Sequence, residues 1–355
     1  MDNNQNRSII TDANSHNKIE QSSLEQVDIS IDNFSLYLNI IGGHSLFIEI
    51  SKTFLLKSAS INEISFYERS FGKNSPSLYI PHYIGKILRQ TSSYKIISQY
   101  IAECKIFFKR YIKAKGFTAE DLNIEKDPKF IETFNSYINS EDNNDDMKIN
   151  KSFAQLEAEL NVMQVNKLKW IVFWFVKWKE NFGNYDYIII ENLTYNMECP
   201  AILDVKLGSS PRISKDKTIK IFKGATNEIG CRIMGSLKFN TFKNRYDTRN
   251  LTLKQFNEEL KNFFSMNSTI NIDLINKTIS ILNTIKEEVK EDEKFLMKFS
   301  SVLILYDFMK ESNLIVKLID FSYFEEKADS EKYMLIKKDY LQSIDNLIGI
   351  LAKCK

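Results

Sequence analysis

A charged pair inside an apolar run is the feature of this sequence with the clearest chemistry. Asp204 and Lys206 alternate with aliphatic residues between Cys199 and Gly208. On an extended strand, residues two apart point to the same face, so we expect the carboxylate and the ammonium to lie side by side. Such a pair suits phosphoryl transfer from a nucleotide to an alcohol, because the carboxylate takes the hydroxyl proton and the ammonium offsets phosphate charge. An ion pair on an exposed edge strand is the alternative.

A cluster of positive charge follows this strand. Between Gly208 and Gly224 a single acid, Asp216, stands among five cations: Arg212, Lys215, Lys217, Lys220 and Lys223. Several cations together can offset the charge of a densely phosphorylated small molecule, whereas the alternative is a solvated helix face. The whole chain has a net charge of only +2, and its positive charge is concentrated here. This pattern argues against a nucleic-acid partner.

Composition indicates a soluble intracellular protein. The 355 residues are 43% hydrophobic, enough for one large core or two lobes. The four cysteines are scattered without metal-ligand spacing, which is typical of reduced thiols and predicts a cytoplasmic and/or nuclear location and no zinc site. The most apolar run, residues 170–176, is far shorter than the roughly 20 residues of a membrane span. We expect a monomer.

Hydrophobic periodicity and composition divide the chain into five parts. These are a disordered tail (1–26), a small nucleotide-binding lobe (27–89), a helical insertion with a flexible acidic loop at 139–146 (90–185), a hinge (186–193) and a large catalytic and substrate lobe (194–355). The predicted helices span residues 61–71, 94–115, 153–182, 274–290 and 339–353, with a further helix beginning at the capping box Thr252–Gln255. The predicted strands include a hairpin at 45–57 and the segments 81–87, 187–190, 228–240, 301–306 and 314–321.

Six segments in the same order resemble the inositol polyphosphate kinase family. The spacing Pro200-x-x-x-Asp204-x-Lys206-x-Gly208 resembles the family signature and is complete. The other five are Ile41-Gly42-Gly43-His44, Phe54–Lys57 with Glu63 and Phe66–Glu68, Pro81–Gly85, Asn227–Ile233 with Arg249–Thr252, and Ser300–Leu303 with Ile319–Phe321. Together they extend over most of the chain outside residues 1–35 and 90–185.

The resemblance implies an α+β, two-lobed kinase-like fold with an antiparallel small lobe, a larger mixed lobe and the nucleotide at the hinge. It implies ATP and Mg²⁺ as cofactors and a soluble inositol polyphosphate as substrate. Asp204 and Lys206 would be catalytic, Lys57 would hold nucleotide phosphates, the backbone of Glu191 and Leu193 would meet the adenine, and Asp320 would hold magnesium. Lys206 and the five cations after it would bind substrate phosphates. A solvent-facing Lys57 and a purely structural Asp320 are the alternatives.

Two subclasses of the family compete. The long insertion and Leu305-Tyr306-Asp307 resemble the inositol hexakisphosphate kinases, towards which we lean, whereas Asp204-Val205-Lys206 and Asn227–Gly230 resemble the inositol polyphosphate multikinases. An alternative of another class is a non-catalytic scaffold that binds inositol phosphates. The chain departs from the family pattern at Tyr323, Lys337, Asp339, Arg245 and Thr248.

Overall fold

Two five-stranded antiparallel sheets form the framework of the chain. The computed structural model describes residues 31–41, 45–71, 79–124, 126–140, 151–178, 185–209, 212–213, 219–220, 224–292, 295–297, 299–310, 312–326 and 331–355. The first sheet has the order β1-β2-β3-β5-β4 and consists of β1 (Ser35–Leu36), β2 (Phe47–Glu49), β3 (Phe54–Ala59), β4 (Tyr83–Ile87) and β5 (Asp186–Glu191). The second has the order β10-β9-β6-β14-β15 and consists of β6 (Pro200–Leu207), β9 (Cys231–Lys238), β10 (Thr241–Lys243), β14 (Ser301–Asp307) and β15 (Ser312–Ile319).

Shorter strands and the helices complete the described elements. The two-stranded pairs are β7 (Arg212–Ile213) with β8 (Ile219–Lys220), β11 (Ser265–Met266) with β12 (Thr269–Ile270), and β13 (Phe295–Met297) with β16 (Phe324–Glu326). The helices are α1 (Ile61–Phe71), α2 (Ser92–Lys115), α3 (Ala119–Leu122), α4 (Pro128–Asn139), α5 (Lys151–Val162), α6 (Val165–Trp178), α7 (Ala225–Ile229), α8 (Arg245–Thr248), α9 (Leu253–Phe264), α10 (Ile272–Glu291) and α11 (Glu331–Lys353). No described helix is long and apolar enough to cross a bilayer. The two antiparallel sheets and their helices confirm the predicted α+β class.

The small sheet confirms the predicted hairpin and the predicted strand at 187–190. Strands β2 and β3 pair in antiparallel register, with Ile48 opposite Leu56, as the alternating apolar residues indicate. The predicted strand 187–190 is confirmed as β5, which lies within the predicted hinge 186–193 and pairs with β3 on one side and β4 on the other. Its four central residues are buried, which is typical of a strand inside a sheet that is covered on both faces. The connection between the two sheets is therefore limited to residues 192–199.

The insertion contains more helices than its sequence pattern predicts. The predicted helix 153–182 is two helices, α5 and α6, interrupted at Met163 and Gln164. Neither glycine nor proline marks this break, so the hydrophobic periodicity continues through it and predicts a single helix. Helix α4 was not predicted, although Asp127 caps its first turn and Pro128 opens it, which is a recognised start signal. The predicted tail 1–26 and residues 141–146 of the predicted loop lie outside the described residues.

One continuous apolar core joins the insertion to both sheets. It includes Ile48 and Leu56 of the small sheet, Trp170 and Trp174 of α6, and Phe242 of β10. Burial of such large side chains contributes roughly 2–3 kcal/mol each. The insertion is therefore packed against both lobes rather than suspended from the small one.

One face of the large sheet packs against helices, and the other face is directed towards the small lobe. Ala201, Leu203, Val205 and Leu207 of β6 pack in a second core that also contains residues of α9, α10 and α11. The even-numbered residues of β6 therefore face away from these helices. Two boundaries differ from prediction: residues 225–229 form helix α7 ahead of β9, and α11 begins at residue 331 rather than 339. Gly230 has a left-handed φ of 68°, which ends α7 before the strand.

A close approach at Gly235 gives a prediction about stability. A Cβ atom on Gly235 would lie 2.4 Å from the carbonyl oxygen of Ile41, which belongs to the segment between β1 and β2. We expect Gly235→Ala to lower the free energy of unfolding by roughly 2 kcal/mol or more, because backbone on both sides restricts adjustment. The matched control is Gly349→Ala in α11, where nothing lies within 4 Å. At that position, alanine should raise the free energy of unfolding by up to about 1 kcal/mol. Urea unfolding measures both, and a Gly235→Ala protein as stable as the wild type would contradict the close approach.

Candidate active site

Strand β6 places Asp204 and Lys206 on the same face, as their spacing predicts. The face opposite the helices carries Asp204, which is 6% exposed, and Lys206, whose side chain is 16% exposed. On the neighbouring strand β14, Ser301 lies opposite Lys206 in the register. The alternative of an ion pair on an exposed edge strand is wrong, because β6 is the central strand of its sheet and both side chains are largely buried.

A chain of alternating charges connects the two sheets. Lys57 of β3 donates to Glu63 Oε1 of α1 at 2.6 Å and to Asp320 Oδ1 at 3.2 Å. Asp320 Oδ2 in turn lies 3.6 Å from Lys206 Nζ. Burial alone would lower the pKa of Lys57, but Glu63 and Asp320 outweigh it and hold the pKa above its usual value. The alternative of a solvent-facing Lys57 is wrong, since this residue is 4% exposed.

Asp320 is held in place by its backbone and its neighbours. Its φ of 66° is left-handed, a conformation that aspartate and asparagine adopt more readily than most residues. The next residue, Phe321, stacks on Phe66 of α1 with ring centroids 3.9 Å apart. Ser322 then donates to Glu63 Oε2 at 3.3 Å. Helix α1 therefore fixes the position of the Asp320 carboxylate, 32% of whose side chain remains exposed.

Asp204 is a carboxylate poised to bind a proton. Its pKa is raised from 3.8 to about 6, because burial and the negative charge of Asp320 raise it by more than Lys206, the Ser301 hydroxyl and Arg232 together lower it. Among the described residues, Asp204 Oδ1 is buried with no hydrogen-bond partner. A buried acceptor without a donor costs free energy, which is typical of a group that a ligand completes.

Arg232 belongs to this site although the sequence reasoning assigned it no role. It lies on β9 directly opposite Lys206 in the strand register, and its charge lowers the pKa of Asp204. A usable signal was present in the sequence, because Arg232 stands between the apolar residues Cys231 and Ile233. A charge in that setting marks the functional face of a buried strand only once the register of the sheet is known.

The segment after β5 offers one backbone donor to a ligand. The Glu191 N–H is already bonded to the His82 carbonyl at 3.0 Å, and the Asn192 N–H to the Thr53 carbonyl at 2.8 Å. The Glu191 carboxylate pairs with Lys317 of β15 at 3.2 Å. In the described part of the chain, the backbone N–H of Leu193 makes no hydrogen bond. Leu193 can therefore donate to an adenine edge, whereas Glu191 can contribute only its carbonyl.

The basic stretch after β6 is described only in part. Arg212 and Lys220 lie opposite each other in the β7–β8 pair, and their side chains are not described. Lys220 lies in strand β8, so the alternative of a solvated helix face does not hold for this residue. Lys215, Lys217 and Lys223 lie outside the described residues.

Two residues that depart from the family pattern have structural contacts. Asp339 of α11 accepts hydrogen bonds from the backbone N–H of Ser209, at 2.9 Å, and from its hydroxyl. Lys337 of the same helix donates to the carbonyls of Lys290 and Asp292, each at 2.8 Å, at the end of α10. Asp339 thereby anchors the start of the segment that leads from Lys206 into the basic stretch.

The fold and the site together define a class of protein. A buried lysine on a small-lobe strand, paired with a glutamate on the following helix, is the arrangement of protein kinases. Residues 187–352 match the family model for inositol polyphosphate kinase. The matched range covers just under half of the chain and holds each candidate residue named above except Lys57.

The individual relatives match shorter parts of the chain. Inositol hexakisphosphate kinase 2 of Homo sapiens is 27% identical over 165 residues, which are 41% of this chain and 38% of that protein. Inositol polyphosphate multikinase of Schizosaccharomyces pombe is 30% identical over 158 residues, 38% of this chain and 58% of that protein. The matches thus span less than two thirds of either relative. The solved structure of inositol phosphate multikinase from S. cerevisiae with ADP and Mn²⁺ overlaps 48% of this chain and 84% of that one, with a TM-score of 0.39 and 18% identity.

Proposed function

We propose that the protein is an ATP-dependent kinase that transfers the γ-phosphoryl group to an inositol polyphosphate. The observation that supports this most is the line of charges from Lys57 through Asp320 to Lys206, with Asp204 beside it. Cations on both sides of a central carboxylate suit a bound nucleotide phosphate, and a carboxylate that binds protons near neutral pH suits an acceptor hydroxyl.

The proposed reaction uses these residues in distinct roles. With a pKa of about 6, Asp204 is mostly ionised at neutral pH and takes the proton of the attacking oxygen, which belongs to a ring hydroxyl or, on a fully phosphorylated ring, to a phosphate group that still carries a proton. The acceptor oxygen forms a bond to the γ-phosphorus while the bond to the β–γ bridging oxygen breaks, which releases ADP. Lys206 and Arg232 offset charge on the transferring group, and Lys57 holds the nucleotide phosphates. The backbone N–H of Leu193 and the carbonyl of Glu191 bind the adenine edge.

The carboxylates of the site fit a nucleotide-bound magnesium ion. No group of three or more His, Cys, Asp or Glu that could hold a metal occurs among the described residues. Magnesium is usually held by one or two carboxylates together with substrate phosphates and water, so the partly exposed Asp320 is sufficient as its protein ligand. When bound, the ion supplies charge neutralisation on the phosphates.

The basic stretch supports an inositol phosphate as acceptor and yields a prediction. We expect the double substitution of Lys220 and Lys223 by Ala to raise the KM for the inositol phosphate at least ~5-fold and to leave the KM for ATP nearly unchanged, because two charge contacts to the acceptor are lost. The effect should shrink at high salt. Steady-state kinetics in both substrates measures it. Equal losses for both substrates would place these lysines at the nucleotide or in the fold.

Within this function we propose inositol hexakisphosphate as the acceptor. The long insertion and Leu305-Tyr306-Asp307 support this choice; the chain's similarity to a multikinase supports the alternative of free hydroxyl acceptors. The two differ in product, since a fully phosphorylated ring can gain a phosphate only as a diphosphate. Incubation with ATP and a panel of inositol phosphates, followed by mass analysis, tests the whole proposal. Turnover of hydroxyl-bearing substrates alone would favour the multikinase, and binding without turnover of any substrate would favour the scaffold.

A further inference from the structure

A single buried side chain holds the turn that leads from the small sheet towards the large one. Asn192 follows β5 and is 8% exposed. Its Oδ1 atom accepts hydrogen bonds from the N–H of Thr194, at 3.1 Å, and from the Thr194 hydroxyl, at 2.9 Å. Its Nδ2 atom donates to the carbonyl of Lys52, at 3.0 Å, in the turn between β2 and β3. Asn192 therefore attaches the connection between the sheets to the hairpin of the small sheet.

The backbone of the same turn fixes the direction of one peptide group. The Asn192 N–H donates to the carbonyl of Thr53 at 2.8 Å, and the Asn192 carbonyl accepts the N–H of Tyr195 at 3.1 Å. The C=O of Asn192 and the N–H of Leu193 belong to one planar, trans peptide unit, so they point in opposite directions. The Leu193 N–H, which bonds to no backbone carbonyl of the described residues, therefore points away from the interior of the turn.

The two backbone groups that flank Asn192 match the edge of only one purine. The Glu191 carbonyl is an acceptor and the Leu193 N–H is a donor. Adenine presents an amino donor beside a ring-nitrogen acceptor, whereas guanine presents a carbonyl acceptor and a ring N–H donor at the same two positions. Guanine would therefore place donor against donor and acceptor against acceptor, which leaves polar groups unpaired. This discrimination holds only while the Leu193 peptide group keeps its direction.

We propose that Asn192 is a positioning residue that makes the nucleotide site select adenine over guanine. Its side chain has no need to contact the base. It holds the turn on both sides of Leu193, through Thr194 on one side and Lys52 on the other, and so fixes the direction of the donor before the nucleotide binds. This role rests on the proposed function, since it requires that a purine nucleotide binds at residues 191–193.

Nucleotide binding to the full chain, without an acceptor, tests this role. Calorimetric titration gives the Kd for ATP and for GTP, each with magnesium. We expect the wild type to bind ATP at least ~10-fold more tightly than GTP, and Asn192→Ala to reduce that preference at least ~5-fold, mainly by weakening ATP. Inorganic triphosphate should bind both proteins equally, because its contacts are to the phosphate-binding side chains. A general loss of structure would weaken all three ligands together.

Thr194 provides a milder variant with a matched control. Thr194→Val removes the hydroxyl that donates to Asn192 and should reduce the preference for ATP about threefold, whereas Thr194→Ser keeps the hydroxyl and should retain the wild-type preference. The Tyr37 hydroxyl lies 3.2 Å from Thr194 Oγ1, so Thr194→Val also removes this second contact. Tyr37→Phe removes it alone and should leave the preference unchanged.

The possible outcomes separate the role of Asn192 from the proposed function. If the wild type binds neither nucleotide, both are overturned. If it binds ATP and GTP equally, selection of adenine at this turn is excluded while phosphoryl transfer stands. If Thr194→Val and a folded Asn192→Ala protein keep the wild-type preference, or if they lose triphosphate binding to the same extent as ATP binding, Asn192 serves only the fold. A reduced preference in Thr194→Val supports the proposal even where Asn192→Ala does not fold.

Discussion

Replacing Asp204 with asparagine is expected to lower turnover at least ~10²-fold, because the substitution removes the base of the proposed reaction while keeping the shape of the side chain. In the wild type, activity should fall as the pH drops through about 6, where Asp204 becomes protonated. Single-turnover kinetics as a function of pH measures both effects. A folded Asp204→Asn protein with near-native turnover would exclude Asp204 as the base.

The same substitution is expected to stabilise the protein in the absence of nucleotide and metal. The pKa of Asp204 is about 6 in the folded protein and 3.8 in its ordinary state, so the folded protein binds more protons between these values. Stability therefore falls as the pH rises through this window, and above it the ionised group costs up to about 3 kcal/mol. Asparagine cannot ionise, so Asp204→Asn should raise the free energy of unfolding at pH 7.5 and flatten its dependence between pH 4 and 6.

Asp307 provides a control, because replacing it with asparagine is expected to change the stability in the opposite direction. It is a buried carboxylate at the end of β14 that accepts the N–H groups of Glu198, Cys199 and Met309. Burial would raise its pKa, but these three hydrogen bonds outweigh burial and lower it. Asp307→Asn should therefore destabilise the protein at neutral pH. Destabilisation of both variants to the same extent would show that Asp204 is a structural carboxylate as well.

Replacing Asp320 with asparagine is the second substitution expected to reduce turnover at least ~10²-fold. The carboxylate lies between Lys57 and Lys206, and it is the candidate ligand for nucleotide-bound magnesium. Asparagine keeps the left-handed backbone conformation readily, so the fold should survive; alanine would add backbone strain. We expect the magnesium concentration required for half-maximal activity to rise along with the loss of turnover, which a metal titration measures.

The control for Asp320 is the other ion pair between the two sheets. Lys317→Met removes the contact of Lys317 with Glu191, which bridges β15 and β5 at 3.2 Å. If Asp320→Asn lowers turnover no further than Lys317→Met does, and leaves the magnesium requirement unchanged, Asp320 only joins the lobes. A selective loss for Asp320→Asn with a raised magnesium requirement supports the metal role.

Sequence patterns were sufficient to predict the structure where the residues that define it lie within one strand or one helix. The alternation around Asp204 and Lys206 predicted their shared face because the period of a strand is two residues. Helix α1 and the capping box at Thr252 were likewise predicted from spacing, since both depend on contacts within one turn of helix. The break between α5 and α6 has no glycine or proline to mark it in the sequence, and it separates a helix that contacts β1 from one that contacts α3, α4 and β10.

The sequence by itself determined which residues could do the chemistry: Asp204 and Lys206 stand out by type and spacing, and Lys57 and Asp320 by the resemblance of their segments to the kinase family. Only the tertiary structure decided that Lys57 and Asp320, 263 positions apart, share an ion pair, that Arg232 joins Lys206 through the strand register, and that β5 belongs inside the small sheet. It also decided the charge state of Asp204, whose pKa depends on burial and on Asp320. The physical reason is range: periodicity reports neighbours along one element, whereas burial, pairing register and electrostatic coupling arise between elements that are distant in the chain.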